Sequence, residues 1–121
     1  MKGMVNMKML VNYIKENGGM TYNLKNNEML KSGYMVGNGK NEMIIPGKVN
    51  ERNILEYIQA YGSDLMKDNH NFGAWYNEAD GQTYLDTSIS FNDYNEAVAF
   101  AKANDEIAIF DLSTLTEIRL K

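Results

Sequence analysis

The chain predicts a single α+β domain, 1–121, built as a mostly antiparallel sheet with helices packed on it. Two observations carry that prediction. Short runs of alternating apolar and polar residues recur between turn signals, which is the period of half-buried strands. Three stretches instead repeat their apolar residues at helical spacing, and two of these begin at a capping residue.

The elements follow in order. Met7, Leu10, Val11 and Ile14 fit the i, i+3, i+4, i+7 rule and predict a helix over 4–16. Gly18-Gly19 ends it, because glycine readily takes the left-handed conformation after a helix. Met20 to Leu24 alternates as a strand, Asn26-Asn27 is a turn, and Ser32 to Val36 is predicted to return alongside. Met43-Ile44-Ile45 is a third short strand closed by Pro46.

Asn50 is the N-cap expected for a second helix, whose stripe is Ile54, Ile58, Tyr61 and Leu65. Arg52 and Glu56 stand four apart on another of its faces. Phe72 to Tyr76 and Gln82 to Phe91 flank the hairpin signal Glu78-Ala79-Asp80-Gly81. Asp93-x-x-Glu96 has the pattern of a capping box, and Ala97, Val98 and Ala101 give a third helix a narrow apolar stripe ending near Asn104. Ile107 to Phe110 is expected as a buried strand and Leu115 to Leu120 as a last edge strand. The predicted order is α-β-β-β-α-β-β-α-β-β.

Composition narrows the function classes. With 44% hydrophobic and 23% charged residues, the chain can support a core and is not globally disordered. It contains no cysteine, which excludes disulfides, thiol nucleophiles and cysteine-ligated metals and agrees with a reducing cytoplasm. No apolar run reaches the roughly 20 residues needed to span a bilayer, and polar Asn6, Lys8 and Asn12 break any signal-like segment. A net charge of −4 argues against DNA or RNA backbones, but it leaves room for a small phosphorylated ligand held by a few groups. Met1, Met4, Met7 and Met9 crowd the start and leave the initiation codon open.

No catalytic set emerges. His70 is the only histidine and lies in a polar loop, Lys67 to Asn71, so a solvated side chain is expected over a general base. Asp80, Asp86, Asp93, Asp105 and Asp111 lack the dense spacing of a calcium loop, and no metal site or cofactor is expected. Gly33, Gly37 and Gly39 precede neither a Lys-Ser or Lys-Thr pair nor a helix, so they do not make a phosphate loop.

The aromatics are the more informative group. Phe72, Trp75, Tyr76, Tyr84, Phe91 and Tyr94 fall within the hairpin and the start of the third helix. Strand alternation places Phe72 and Tyr76 on one face and Trp75 on the other, and at least half of the set is expected to be core. An exposed aromatic beside Asn92 and Asp93 would offer a base a stacking face, ribose hydroxyls their acceptors, and phosphate a helix N-terminus.

Five short blocks, in order, span nearly the whole chain. They are Gly18-Gly19-Met20-Thr21, Ser32-Gly33-Tyr34-Met35-Val36, Phe72-Gly73-Ala74-Trp75, Tyr84-Leu85-Asp86-x-Ser88 and Ala108-Ile109-Phe110-Asp111. Together they resemble the phage and prophage anti-Thoeris sponge family. The resemblance implies a cytoplasmic homo-oligomer, dimer-based and up to a hexamer. Such a protein sequesters glycocyclic ADP-ribose, the messenger of a TIR-domain enzyme, without degrading it. For some members it also implies a second site for cyclic oligonucleotides.

The residues expected to contact ligand are Phe72, Trp75, Asp86, Ser88, Phe91, Asn92, Asp93, Lys102 and Arg119. One departure stands out: Lys102 and Asp105 occupy a segment where the family often carries arginine and glutamine, and a lysine offers phosphate only a point charge. Two other readings stay open. One is an enzyme degrading the same messenger through Asp86 or Asp93, and the other an acidic inhibitor that covers a host defence protein.

Overall fold

A computed structural model describes residues 6–121. Its elements are α1 (Met7–Asn17), β1 (Gly19–Asn23), β2 (Glu28–Met29), β3 (Tyr34–Gly37), β4 (Met43–Pro46), α2 (Glu51–Leu65), β5 (His70–Asn77), β6 (Gln82–Phe91), α3 (Tyr94–Ala103), β7 (Ala108–Asp111) and β8 (Thr116–Arg119). The strands form one sheet in the order β2-β1-β5-β6-β3-β7-β8, every pairing antiparallel. Strand β4 pairs with β6 beside β3, so these two short strands share one edge of the long β6. The α+β class and the broad element order match the sequence reading; residues 4 and 5 of the expected first helix lie outside the described residues.

Local chemistry sets the helix ends. Asn6 caps α1 by accepting from the Met9 amide at 3.1 Å, and Gly18 follows the helix at φ 80°, a conformation that would strain a residue with a Cβ. Asn50 caps α2 reciprocally with Asn53, each side chain accepting the other's backbone N–H at 2.9 Å. Asp93 caps α3 by accepting from the Glu96 amide at 2.9 Å. Arg52 and Glu56 pair across one turn of α2 at 3.8 Å.

All three helices cover the same face of the sheet. Directly paired residues of antiparallel strands share a face, and Phe72↔Thr87, Ala74↔Leu85 and Met20↔Ala74 place the core residues together. The main core joins Leu10, Val11 and Ile14 of α1 and Ile54, Tyr57 and Leu65 of α2 to Met20, Tyr22, Phe72, Ala74 and Leu85. A smaller cluster of Val36, Ala97, Ala101 and Ile109 lies under α3, with Phe91 and Phe100 packed against it. Register puts Val36 opposite Ile89, whose odd position in β6 matches Leu85 and Thr87.

A buried polar knot ties α2 to the sheet. The Tyr57 hydroxyl donates to the Asn41 carbonyl at 2.6 Å and meets the Thr87 hydroxyl at 2.7 Å. The Asn41 side-chain amide donates to Asp64 at 2.9 Å. Burial is the main reason the Tyr57 hydroxyl is shifted well above its ordinary pKa. The Asn41 hydrogen bond, then Lys67, holds the Asp64 carboxyl down to about 2.

Three expectations need correction. Alternation and the Asn26-Asn27 turn predict that the segment 32–36 returns onto β1, but the two-residue β2 takes that edge and β3 pairs with β6 and β7. The turn after Asn26-Asn27 is closed by the nearest residues able to pair, and the longer run is free to join a distant strand. The strand at 107–110 is buried only at Ile109, because β8 is the sole strand beyond it and Ile107 stays half exposed. In α2, Tyr57 rather than Ile58 or Tyr61 completes the buried stripe.

Candidate functional site

Alternation along β5 and β6 sends the other half of their side chains to the face that carries no helix. On β5 these are Asn71, Gly73, Trp75 and Asn77; on β6 they are Gln82, Tyr84, Asp86, Ser88 and Ser90. Registry turns them into cross-strand rows. Trp75↔Tyr84↔Ile44 crosses β5, β6 and β4, and the next row is Gly73↔Asp86. Alternation with Ile44 continues that row to Glu42, one residue before β4.

The first row is apolar and open to solvent. Trp75 is 55% exposed and Ile44 46%, values that separate them from a core sheet. The Trp75 and Tyr84 rings lie 5.7 Å apart with 33° between their planes. The Tyr84 hydroxyl donates to Asp80 and is held in place at the hairpin turn.

The second row is acidic. A side chain at Gly73 would collide with the Asp86 carboxylate, so the missing Cβ lets that carboxylate lie down on the sheet. On a neighbouring strand, a Cβ at Gly37 would stand 3.2 Å from the Glu106 carboxylate. Asp86 is therefore crowded by the sheet and by two like charges. Desolvation first, then Glu42 and Glu106, raise its pKa from 3.8 to about 6. Asp86 nonetheless keeps solvent contact along its chain, so screening moderates the energetic weight of that shift and its sign is the useful part.

Further along the same face, the small polar residues pack side by side. The Asn23 amide donates to Asn71 at 3.1 Å, and the Ser88 hydroxyl lies 3.9 Å from the Met35 sulfur. Ser88 and Asn71 are thereby buried although no helix covers them.

The expected ligand residues do not form one constellation. Trp75, Asp86 and Ser88 share the helix-free face, and pairing with Ala108 puts Arg119 on the far strand of the sheet. Strand β8 lies three strands from β6, about 14 Å at ordinary spacing. Arg119 faces Glu117 at 3.4 Å there. Phe72 is 0% exposed, touching Tyr57 at 5.2 Å between ring centres, so the expectation that it stacks on a ligand fails. Phe91 packs on Phe100 at 5.3 Å as part of the smaller core.

Asn92 and Asp93 sit at the start of α3, and Asp93 already fills that helix's N-terminal acceptor role, which disfavours a phosphate there. Lys102 lies in the last turn of the ten-residue helix, at the opposite end. Tyr94, 42% exposed and edge-on to Tyr34 at 5.6 Å, is the exposed aromatic nearest Asn92 in sequence. Sequence reading missed Glu42 and Glu106 as neighbours of Asp86, since only the sheet register brings them together.

His70 opens β5, its Nδ1 atom 2.8 Å from the Asp68 carbonyl. Among the described residues, no group of three His, Cys, Asp or Glu is placed to hold a metal ion, and no helix is long and apolar enough to cross a membrane. No protein-family model, curated protein or solved structure matches the chain.

Proposed function

We propose that the protein is a capture module that holds a small nucleotide-derived signal intact, as the resemblance to anti-Thoeris sponges implies. The observation that supports it best is the Trp75–Tyr84 platform: a half-exposed indole, backed by a second ring, on a face that a ligand can reach. Each base presents a π-face to such a platform, and stacking on an aromatic contributes about 1–3 kcal/mol per base. Asp86 beside it offers acceptors to ribose hydroxyls or an exocyclic amine. The acidic row repels the phosphates of such a ligand, so its base lies over the rings and its phosphates point away from Asp86.

In this reading the ligand is a cyclic ADP-ribose isomer, and silencing it requires affinity and copy number without turnover. A face this open binds a small molecule best when a second copy closes it, so the reading includes a homo-oligomer with sites between chains. Ligand affinity should then depend on protein concentration.

The test is capture and release. Purified protein is incubated with the cyclic ADP-ribose isomer, filtered, and heat-denatured, and the released material is analysed. Recovery of unchanged messenger, lost in Trp75→Ala, supports the sponge. Processed product would instead establish a degrading enzyme, and no retention would remove the nucleotide reading altogether.

A further inference from the structure

The helix-free face has a chemical asymmetry whose negative charge a phosphate-bearing ligand does not neutralise. Its apolar row, Trp75–Tyr84–Ile44, runs directly beside an acidic row centred on Asp86. The charges that bear on Asp86 are those of Glu42 and Glu106, both negative. None of the three carboxylates joins an ion pair among the described residues, whose pairs all lie elsewhere. Asp86 and Glu42 beside exposed rings, with Glu106 beyond them against Gly37, form a surface whose missing complement is a cation with a flat apolar face.

We propose that this face docks an arginine-bearing extended segment of a partner protein. A guanidinium matches both rows at once. Its plane stacks on indole and phenol rings, and its N–H fork meets carboxylates two bonds at a time. An extended segment suits the site because alternate side chains of a strand project to one side, at a spacing of about 7 Å, close to the separation of diagonal neighbours on a sheet.

Other occupants fit less well. A second copy applying the same face would bring one acidic row against another, a like-charge juxtaposition that costs binding, so a copy that closes a nucleotide site would present a different surface. A metal ion would need converging ligands, and these three acids are not so placed. The proposal stands apart from nucleotide capture, and the two would compete for Trp75.

Trp75 is the only tryptophan, so its emission reports on this face alone. The probes are short synthetic peptides of equal length alternating glycine with arginine, lysine or glutamate. The arginine peptide is expected to shift or quench the emission, with affinity that falls steeply as salt rises. The lysine peptide should bind at least about threefold more weakly, lacking the planar fork. The double variant Glu42→Gln/Glu106→Gln, checked for fold by circular dichroism, should weaken arginine-peptide binding by about tenfold or more.

Three outcomes would overturn the proposal: no arginine-peptide binding by fluorescence or calorimetry, equal binding of the lysine peptide, or unchanged affinity in the double variant. Binding of the cyclic ADP-ribose isomer, measured in the same samples, keeps the two readings separate. Nucleotide binding without peptide binding sinks this proposal alone, and the reverse sinks only the sponge.

Discussion

Phe72 and Trp75 stand three residues apart on one strand, yet the first is fully buried and the second more than half exposed. Both are large aromatics in the same short block, and composition alone treats them alike. The pleat separates them. Phe72 points into the space filled by Tyr57 and the two larger helices, and Trp75 points to the face no helix reaches. One face of this sheet therefore holds the fold together, and the Trp75 end of the other is free to meet something else.

Paired truncation tests that division most severely. Phe72→Ala empties a packed site and should cost about 3–5 kcal/mol in urea unfolding. Trp75→Ala removes an exposed ring and should stay within about 0.5 kcal/mol of the parent protein. Comparable losses at both positions would mean that the helix-free face is as structural as the covered one.

Tyr57→Phe probes the covered face more finely. The ring stays, but the Asn41 carbonyl loses its donor and the Thr87 hydroxyl loses a partner in a buried place. A loss of about 1–3 kcal/mol is expected. Because Asn41 also donates to Asp64, the variant should disturb the loop that carries Glu42 to the opposite face. Crosspeak shifts of Glu42 in an amide spectrum would register that link. A smaller step follows at α3, where Asp93→Ala removes the acceptor of the Glu96 amide. It should cost about 1 kcal/mol by the same urea measurement. A neutral result would show that solvent satisfies the N-terminus of α3 without its cap.

The sequence made the covered face readable and the open face only partly so. The alternation of Phe72, Ala74 and Tyr76 against Trp75, and the capping residues Asn6, Asn50 and Asp93, are local signals, and the caps at Asn50 and Asp93 are legible from sequence alone. Strand pairing is not local. Nothing near Ser32 to Val36 tells that run to skip β1 and join β6, and nothing near Asp86 announces Glu42 or Glu106. Those neighbours arise from register across strands that are far apart in the chain. The mistaken choice of Phe72 as a ligand contact has the same origin. An aromatic cluster in sequence becomes two clusters once the pleat assigns faces, and the loop-borne acids join only the second.

The last expected effect concerns the open face itself and is read through pH. Asp86 titrates near 6 in the folded chain and at the ordinary 3.8 when unfolded. Below 3.8 the carboxyl is protonated in both states and its crowding by Glu42 and Glu106 has no consequence. As pH rises past 3.8 the unfolded chain gives up the proton first, so this group's contribution turns against folding until about 6, above which the penalty is complete. Asp86→Asn removes the charge while keeping the shape over Gly73. It should therefore raise the urea midpoint at about pH 7.5 and leave it unchanged at about pH 3.5, where the parent side chain is already neutral. A gain of the same size at both values would trace the effect to packing rather than charge. A loss at the higher pH would mean that the carboxylate already has a partner, and the open face would no longer be one that waits for a cation.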